Sequence, residues 1–85
     1  MAPVDIYTSP ICGYCHMAKR LLKQKGVPFN EINVLGDDGA RAKMLERAPG
    51  ARTVPQIFIG TTHVGGSDEL HALERAGKLD SLLAG

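Results

Sequence analysis

The sequence predicts an α/β protein whose mixed four-stranded sheet is flanked by helices. Short segments rich in β-branched and aromatic residues alternate with longer segments whose apolar residues recur at helical spacing, in the order β-α-β-α-β-β-α. A helix separates the first two strands, so they should pair in parallel through a right-handed crossover. Only a short turn separates the last two strands, which should therefore form a hairpin. Helices are expected on both faces of the sheet.

The first strand and the first helix lie on either side of a Ser-Pro dipeptide. Residues 4–8 are apolar and β-branched, which is typical of a buried strand. The helix should begin near Cys12 or Gly13, and Gly26 occupies a natural position just beyond its end. The apolar residues that recur at helical spacing, and should face the core, are Met17, Ala18, Leu21 and Leu22.

The second strand and the second helix follow. Residues 28–34 alternate apolar and polar side chains imperfectly and are predicted to form a strand. Asp37 or Asp38 can cap the next helix, because both carry side-chain oxygens that accept from free backbone N–H groups. Pro49 ends this helix. Its apolar face is predicted to consist of Ala40, Met44, Leu45 and Ala48.

The remaining residues should form a hairpin and one or two helices. Residues 55–60 and 61–65 are predicted to be the third and fourth strands of the sheet, paired as a hairpin. Ser67 is expected to cap a third helix that carries Leu70 and Leu73 and ends at Gly77. A last short helix, bearing Leu79, Leu82 and Leu83, should pack onto the core.

Length, charge and composition restrict the class of protein. The chain has 85 residues, so residues 1–85 are expected to form a single domain. A net charge of +1 gives no reason to expect a nucleic-acid partner. No apolar run approaches the ~20 residues of a membrane span, and the N-terminus lacks the features of a signal peptide. We therefore expect a cytoplasmic monomer without membrane association.

The charge is unevenly distributed along the chain. Residues 1–53 carry eight Lys or Arg against five Asp or Glu, a net charge of +3. Residues 54–85 carry two against four, a net charge of −2. A mildly basic N-terminal part would suit a small anionic substrate, although this charge alone does not require one.

Cys12 and Cys15 form a Cys-x-x-Cys pair between a predicted strand and a predicted helix. Backbone N–H groups without partners and the positive end of the helix dipole favour a thiolate at a helix N-terminus. The thiolate is the nucleophilic form of cysteine. Because residues three apart lie on one side of a helix, the two sulfurs should be close enough to bond. We predict that Cys12 attacks a disulfide and that Cys15 resolves the resulting mixed disulfide.

Two other interpretations of the cysteines are less favoured. A structural zinc site needs four ligands, whereas this chain has one cysteine pair, and none of His16, His63 and His71 shows zinc-finger spacing. A pair of inert buried cysteines is the second alternative. A Cys-x-x-Cys that follows a strand and opens a helix is instead typical of redox proteins. We expect no metal site in the monomer.

Three motifs occur together and in a fixed order. They are Tyr7-Thr8 followed by Cys12-Gly13-Tyr14-Cys15-His16, then Thr53-Val54-Pro55-Gln56-Ile57-Phe58-Ile59, and finally Gly65-Gly66-Ser67-Asp68-Glu69-Leu70. Over essentially the whole chain they resemble the glutaredoxin family, especially its small bacterial members with two cysteines. The resemblance implies a thioredoxin-like fold and a glutathione-dependent thiol–disulfide oxidoreductase. Its substrates would be glutathionylated and disulfide-bonded proteins.

The resemblance also implies where glutathione binds. The peptide bond between Val54 and Pro55 should be cis and face the cysteine pair, although most X–Pro bonds are trans. The backbone of Val54 would then pair with the substrate. The γ-glutamyl end of glutathione would lie at the start of the third helix, where the pattern alone equally fits a plain turn and helix cap. The residues assigned to glutathione are Tyr14, Thr53, Val54, Pro55, Gly66, Ser67 and Asp68.

Two positions depart from the common family pattern. Ser9 stands where many members carry Lys, so Arg41, Arg52 or another basic group would have to supply that charge. Gly13 replaces the commoner Pro between the cysteines. Family members that lack this proline include proteins that hold a [2Fe–2S] cluster between two protomers, with glutathione completing the ligands. Cluster binding through Cys12 is therefore an alternative function.

A third alternative is a thioredoxin-type reductant that a flavoprotein reductase recharges. The chain has no Trp before the cysteine pair, and it carries Tyr14 together with the Gly-Gly-Ser-Asp motif. These features favour the glutaredoxin interpretation.

Overall fold

The computed structural model describes residues 2–85 and shows the predicted order of elements, with a fourth helix at the end. No helix within residues 2–85 is long and apolar enough to cross a membrane. The strands are β1 (Val4–Thr8), β2 (Asn30–Asn33), β3 (Gln56–Ile59) and β4 (Thr62–Gly65), and the helices are α1 (Gly13–Gln24), α2 (Asp38–Arg47), α3 (Ser67–Arg75) and α4 (Leu79–Ala84).

The four strands form one mixed sheet in the order β2-β1-β3-β4. β1 and β2 pair in parallel, as expected for strands joined through a helix. β3 pairs antiparallel with both β1 and β4. The last two strands therefore form the predicted hairpin, and the predicted α/β architecture with a mixed sheet is confirmed.

Alternating side chains of the two central strands build a core on each face of the sheet. Ile6 and Ile57 face one another across β1 and β3 and point to the face covered by α1, α3 and α4. Tyr7 and Phe58 lie in the opposite core with Met44 of α2. A four-residue loop joins the C-terminal end of β1 to α1, and Cys12 is the last residue of that loop.

Arg47 fixes the C-terminal end of α2 to the sheet. Its guanidinium carbon lies 4.0 Å from the ring centroid of Phe58, and its Nη1 donates to Asp5 Oδ2 at 3.0 Å and to Tyr7 Oη at 3.2 Å. The Tyr7 and Phe58 rings meet edge to face, with centroids 5.8 Å apart. The Arg47 guanidinium is therefore held both by a cation–π contact with Phe58 and by an ion pair with Asp5.

Three details of the predicted elements are wrong. Met17 and Leu45 were expected in the core but are 46% and 41% exposed. Each lies at the margin of its helix's apolar face, and the sheet covers only one side of each helix. The second strand begins at Asn30 rather than at residue 28, because Pro28 has no N–H to donate to a neighbouring strand.

The cap of α3 also differs from the prediction. Gly66, rather than Ser67, is the N-cap, and its N–H donates to Glu69 Oε1 at 2.7 Å. This hydrogen bond is one of the two that define a capping box, in which a Glu three residues after the N-cap accepts from the N-cap N–H. Ser67 is the first helical residue, and its buried Oγ lies 3.3 Å from His71 Nδ1.

Candidate active site

The sulfur of Cys12 lies at the N-terminus of α1. Cys12 is the N-cap residue in extended conformation, and its Sγ accepts a hydrogen bond from the N–H of Cys15 at 3.2 Å. Its S–H group lies 3.4 Å from the carbonyl oxygen of Val54, to which it donates. A backbone N–H aimed at sulfur stabilises negative charge there. The sulfur is half-buried and therefore reachable from solvent.

Cys15 lies in the first turn of α1 and is completely buried, with 0% of its surface exposed. Burial, followed by the hydrogen bond with Cys12, raises the pKa of the Cys15 thiol to about 12. The backbone of Ser9 and the charge of Lys19 act in the opposite direction on this pKa. Both cysteines are free thiols in this structure.

The peptide bond between Val54 and Pro55 is cis, as the resemblance implied. The carbonyl of Thr53 accepts from Gln56 Nε2 at 3.0 Å, which ties this turn to the start of β3. The carbonyl of Val54 points instead toward the sulfur of Cys12. The loop before β3 is thereby in direct contact with the cysteine pair.

A groove of about 270 Å³ opens beside this loop and runs to the start of α3. All seven residues that the resemblance assigned to glutathione line it, although they come from three separate segments of the chain. An eighth residue, Glu69, was not predicted. It lies three residues after Gly66, the position from which a Glu side chain bonds the N–H of the helix cap, and this spacing could have indicated it. The groove is lined by Tyr14, Thr53, Val54, Pro55, Gly66, Ser67, Asp68 and Glu69.

A side chain at either glycine of the Gly65-Gly66 pair would press against Glu69. Gly65 has a φ of +111°, and a Cβ at this position would lie 2.8 Å from Glu69 Oε1. The carboxylate of Glu69 occupies that space because it bonds the N–H of Gly66. Both glycines are thus explained by backbone conformation and close approach.

A polar network that the sequence did not predict joins β1, α1 and β2. Thr8 Oγ1 donates to Glu31 Oε2 at 2.8 Å, and Lys19 Nζ lies 2.9 Å from the same oxygen. The hydrogen bond from Lys19 lowers the pKa of Glu31, and the bond from Thr8 adds to this. Lys19 follows Cys15 by four residues, so the two share a helix face.

Lys19 is the basic residue whose charge lowers the pKa of the Cys15 thiol. The sequence offered Arg41, Arg52 or another basic group for the charge that Ser9 does not supply. Arg41 and Arg52 are both exposed in the structure, and neither is among the residues that line the groove.

Comparison with known proteins identifies the family. A family model described as Glutaredoxin matches residues 4–64. The chain belongs to the glutaredoxin family. A glutaredoxin of Pseudomonas aeruginosa is 60% identical to it over 84 residues, covering 99% of both chains. Glutaredoxin 3 of Escherichia coli K12 is 52% identical over 83 residues, covering 98% of this chain and 99% of the relative.

Solved glutaredoxin structures share the fold. The solution structure of glutaredoxin from Brucella melitensis is 58% identical and has a TM-score of 0.84, covering 98% of this chain and 89% of that one. A buckwheat glutaredoxin–glutathione complex is 35% identical, with a TM-score of 0.87 and coverage of 98% and 77%. A structure named "Metal Binding of Glutaredoxins" is 59% identical, with a TM-score of 0.73 and coverage of 98% and 89%.

The predicted thioredoxin-like fold is confirmed by these neighbours. Glutaredoxins are thiol–disulfide oxidoreductases, so redox chemistry at a thiol is the activity of this chain at the level of the family. The family uses glutathione as a reductant.

The buried thiol of this glutaredoxin should resist alkylation. Burial is the largest cause of the raised pKa of Cys15, and it is kept in the Cys12→Ser variant although the contribution of the Cys12 thiol is lost. Cys15 in the folded variant should therefore react with iodoacetamide at pH 8 at least ~10-fold more slowly than a free cysteine with a pKa near 8.5. Quenched time points analysed by mass spectrometry give the rate, and the same variant in guanidinium is the control. Fast alkylation of the folded variant would show that Cys15 is not shielded.

The same shift has a consequence for stability. Because the pKa of Cys15 in the fold lies above its ordinary value of 9.0, the unfolded chain ionises first, and this thiol should lower the stability as the pH rises from about 9 toward 12.

Proposed function

We propose that this protein reduces glutathione mixed disulfides and protein disulfides, with Cys12 as the nucleophile, Cys15 as the resolving thiol and glutathione as the electron donor. The proposal is carried by one observation. The groove that holds every residue assigned to glutathione includes Val54, whose carbonyl oxygen lies 3.4 Å from Cys12 Sγ. A tripeptide bound in the groove would therefore have its sulfur beside the nucleophile.

The reaction with a glutathionylated protein would need one cysteine. The thiolate of Cys12 attacks the glutathione sulfur, forms a new disulfide with it and releases the protein thiolate, which takes up a proton. A second glutathione thiolate then attacks the glutathione sulfur on Cys12. Glutathione disulfide leaves, and the Cys12 thiolate is restored. Each cycle consumes one free glutathione thiol, and the other half of the glutathione disulfide comes from the substrate.

The reaction with a protein disulfide would use both cysteines. Cys12 attacks one sulfur of the substrate, and the other sulfur leaves as a thiolate. The buried Cys15 then loses its proton and attacks Cys12, which forms the Cys12–Cys15 disulfide and releases the second substrate thiolate. This role is supported by the position of Cys15 one helical turn after Cys12, because the two side chains are close enough to form a hydrogen bond.

The groove supplies two kinds of contact for glutathione in this proposal. The backbone of Val54 would pair with the peptide part of the ligand in the manner of an added strand. The N-terminus of α3, with Ser67 and Asp68, would receive the γ-glutamyl carboxylate and ammonium groups. The fold of the buckwheat glutaredoxin–glutathione complex, with a TM-score of 0.87 to this chain, supports that arrangement.

The choice of electron donor tests the proposal against a thioredoxin-type reductant. With a glutathionylated substrate, NADPH oxidation should be fast with glutathione and glutathione reductase. It should be at least ~10-fold slower with thioredoxin reductase as the only source, since Cys12 must be recharged by a small thiol in the groove. Omitting this protein is the control. Equal or faster turnover with thioredoxin reductase would contradict glutathione dependence.

We propose further that residues 1–85 act as one monomeric domain in the cytoplasm. Glutathione keeps thiols reduced in that compartment, which would sustain the cycle.

A second candidate function is the binding of a [2Fe–2S] cluster between two protomers. Among residues 2–85, no three His, Cys, Asp or Glu side chains are grouped so as to hold a metal ion. A cluster would therefore have to be shared, with Cys12 as this chain's ligand and glutathione completing the set. A Cβ built on Gly13 meets nothing within 4 Å, so the surface beside Cys12 is open to another molecule. The neighbour named "Metal Binding of Glutaredoxins" also favours this candidate.

Anaerobic reconstitution with iron, sulfide and glutathione tests cluster binding. The wild-type protein should become brown and elute as a dimer, whereas Gly13→Pro should bind less cluster because proline stiffens the backbone next to Cys12. Cys15→Ser should still bind it and Cys12→Ser should not. A wild-type protein that stays colourless and monomeric would exclude this function.

A further inference from the structure

We propose that the exposed face of α1 docks an acidic segment of the protein whose disulfide is reduced. The inference rests on the proposed function and names a class of protein substrate for it. The face begins at the nucleophile, because Cys12, His16, Lys19 and Lys23 follow one another at spacings of four, three and four residues. Such residues lie on one side of a helix. Arg20 lies beside them, and we call His16, Lys19, Arg20 and Lys23 the basic stripe.

The charge of the stripe is largely uncompensated. α1 contains no acidic residue. Lys19 is paired with Glu31 at 2.9 Å, but neither Arg20 nor Lys23 forms a salt bridge with any residue of the described part of the chain, 2–85. Lys23 adds a weaker charge effect on Glu31, lowering its pKa. At least two positive charges therefore face solvent on this helix.

The stripe is a surface distinct from the groove. Its side chains, together with Gln24, line a shallow depression on α1, and this depression shares no residue with the groove. The groove lies on the side of Cys12 formed by Val54 and the start of α3. A substrate that reaches Cys12 with its disulfide can therefore extend over α1 without displacing a ligand from the groove.

An acidic protein segment is the occupant that this surface fits. Residues 1–53, which include α1, carry a net charge of +3, whereas residues 54–85 carry −2, so an acidic segment is attracted to the former and repelled by the latter. Exposed apolar side chains of Ile11 and Met17 adjoin Cys12 and the stripe. Exposed Met and Arg side chains are enriched at protein interfaces. A stretch of two unpaired charges is short for a nucleic acid, which contacts many phosphates.

The helix sets the distance at which the acids should lie. With a rise of ~1.5 Å per residue, Arg20 lies about 12 Å from Cys12 along the helix axis and Lys23 about 16 Å. An extended substrate advances ~3.3 Å per residue. The stripe therefore favours acidic residues four or five positions from the substrate cysteine.

Peptides that carry one cysteine test this inference. Each peptide is linked as a disulfide to the same chromogenic thiol, with two Glu, two Gln or two Lys at positions four and five from the cysteine, placed on its N-terminal or its C-terminal side. The kcat/KM for the Glu peptide should exceed that for the Gln peptide about fivefold at low salt in one of the two directions, and the Lys peptide should be slowest. The preference should shrink at 0.5 M salt, because salt screens exposed charges.

A double variant shows whether the stripe is responsible. In Arg20→Gln/Lys23→Gln the ratio of Glu to Gln peptide should fall to about one. The control is Lys43→Gln/Arg75→Gln, which removes the same charge from exposed positions of α2 and α3 and should keep the ratio. Using a ratio within each variant cancels any general change in the reactivity of Cys12.

Two outcomes would overturn the inference, and they differ from a failure of the proposed function. Equal rates for Glu and Gln peptides in the wild type, with normal turnover of a glutathionylated substrate, would leave the function intact and exclude the docking surface. A preference that survives in Arg20→Gln/Lys23→Gln but disappears in the control variant would place the docking surface elsewhere. No turnover of any disulfide would mean that the proposed function itself is wrong.

Discussion

Replacing Cys12 with serine should abolish the reduction of both glutathionylated substrates and protein disulfides. Replacing Cys15 with serine should preserve or raise the first activity and lower the second about 100-fold or more. The difference follows from position: Cys12 Sγ is half-buried at the helix N-terminus, whereas Cys15 is completely buried one turn below it. Only Cys12 can meet an external disulfide.

The two reactions place different demands on Cys15. In deglutathionylation, a second glutathione molecule frees Cys12, so Cys15 is not needed, and its removal prevents a side reaction that forms the Cys12–Cys15 disulfide. In protein-disulfide reduction, the substrate stays bonded to Cys12 until a second thiol attacks. Cys15 does so as part of the same molecule, and a reactant held in position can correspond to an effective concentration far above that of free glutathione.

Both variants should be assayed on a glutathionylated peptide and on a disulfide-bonded protein at equal glutathione concentration. Circular dichroism and thermal unfolding establish that the folds are intact, which matters for Cys15 because serine places a hydroxyl in a buried site. Cys15→Ala is a second variant that avoids this cost. If Cys15→Ser were inactive on the glutathionylated peptide while Cys12→Ser stayed active, the two roles would be reversed.

Local patterns were sufficient to predict the elements that bring the groove together. The loop before β3 and the start of α3 are about ten residues apart, joined by the β3–β4 hairpin. Hairpin geometry therefore places Val54 and Gly66 at the same end of the sheet. The crossover through α1 brings Cys12 to that end as well. Periodicity and turn residues predicted these elements, whereas the assignment of their residues to one glutathione site came from the resemblance to glutaredoxins.

Contacts between distant segments could not be predicted in the same way. Glu31 bonds to Lys19, which is 12 residues away in the sequence, and to Thr8, which is 23 residues away. No pattern in the sequence indicates which polar side chains of β2 and α1 will contact one another. The exposure of Met17 likewise depends on how far the sheet extends beneath the helix. Ser67 is a residue type that commonly caps helices, yet the hydrogen bond from the Gly66 N–H to Glu69 makes Gly66 the N-cap instead.

Replacing Asp68 with asparagine should raise the KM for a glutathionylated substrate about tenfold. Asp68 lies in the first turn of α3 and lines the groove, with its carboxylate exposed to solvent. In the proposed function this carboxylate accepts from the γ-glutamyl ammonium group. Hydrogen bonds between ionised partners are about twice as strong as neutral ones, and asparagine keeps the shape while removing the charge. A tenfold change corresponds to about 1.4 kcal/mol of binding free energy.

Asp38→Asn is the matched control, because Asp38 also lies in the first turn of a helix and the same charge is lost. Either substitution removes a favourable interaction with a helix dipole, so both variants should lose a similar small amount of stability, roughly 0.3–1 kcal/mol. Only Asp68→Asn should change KM. Since the ammonium lies far from the reacting sulfur, its contact is equally strong before and during sulfur transfer, and kcat should stay constant. A fall in kcat at constant KM would instead mean that Asp68 acts on the reacting atoms, and an unchanged KM in both variants would remove Asp68 from the glutathione site.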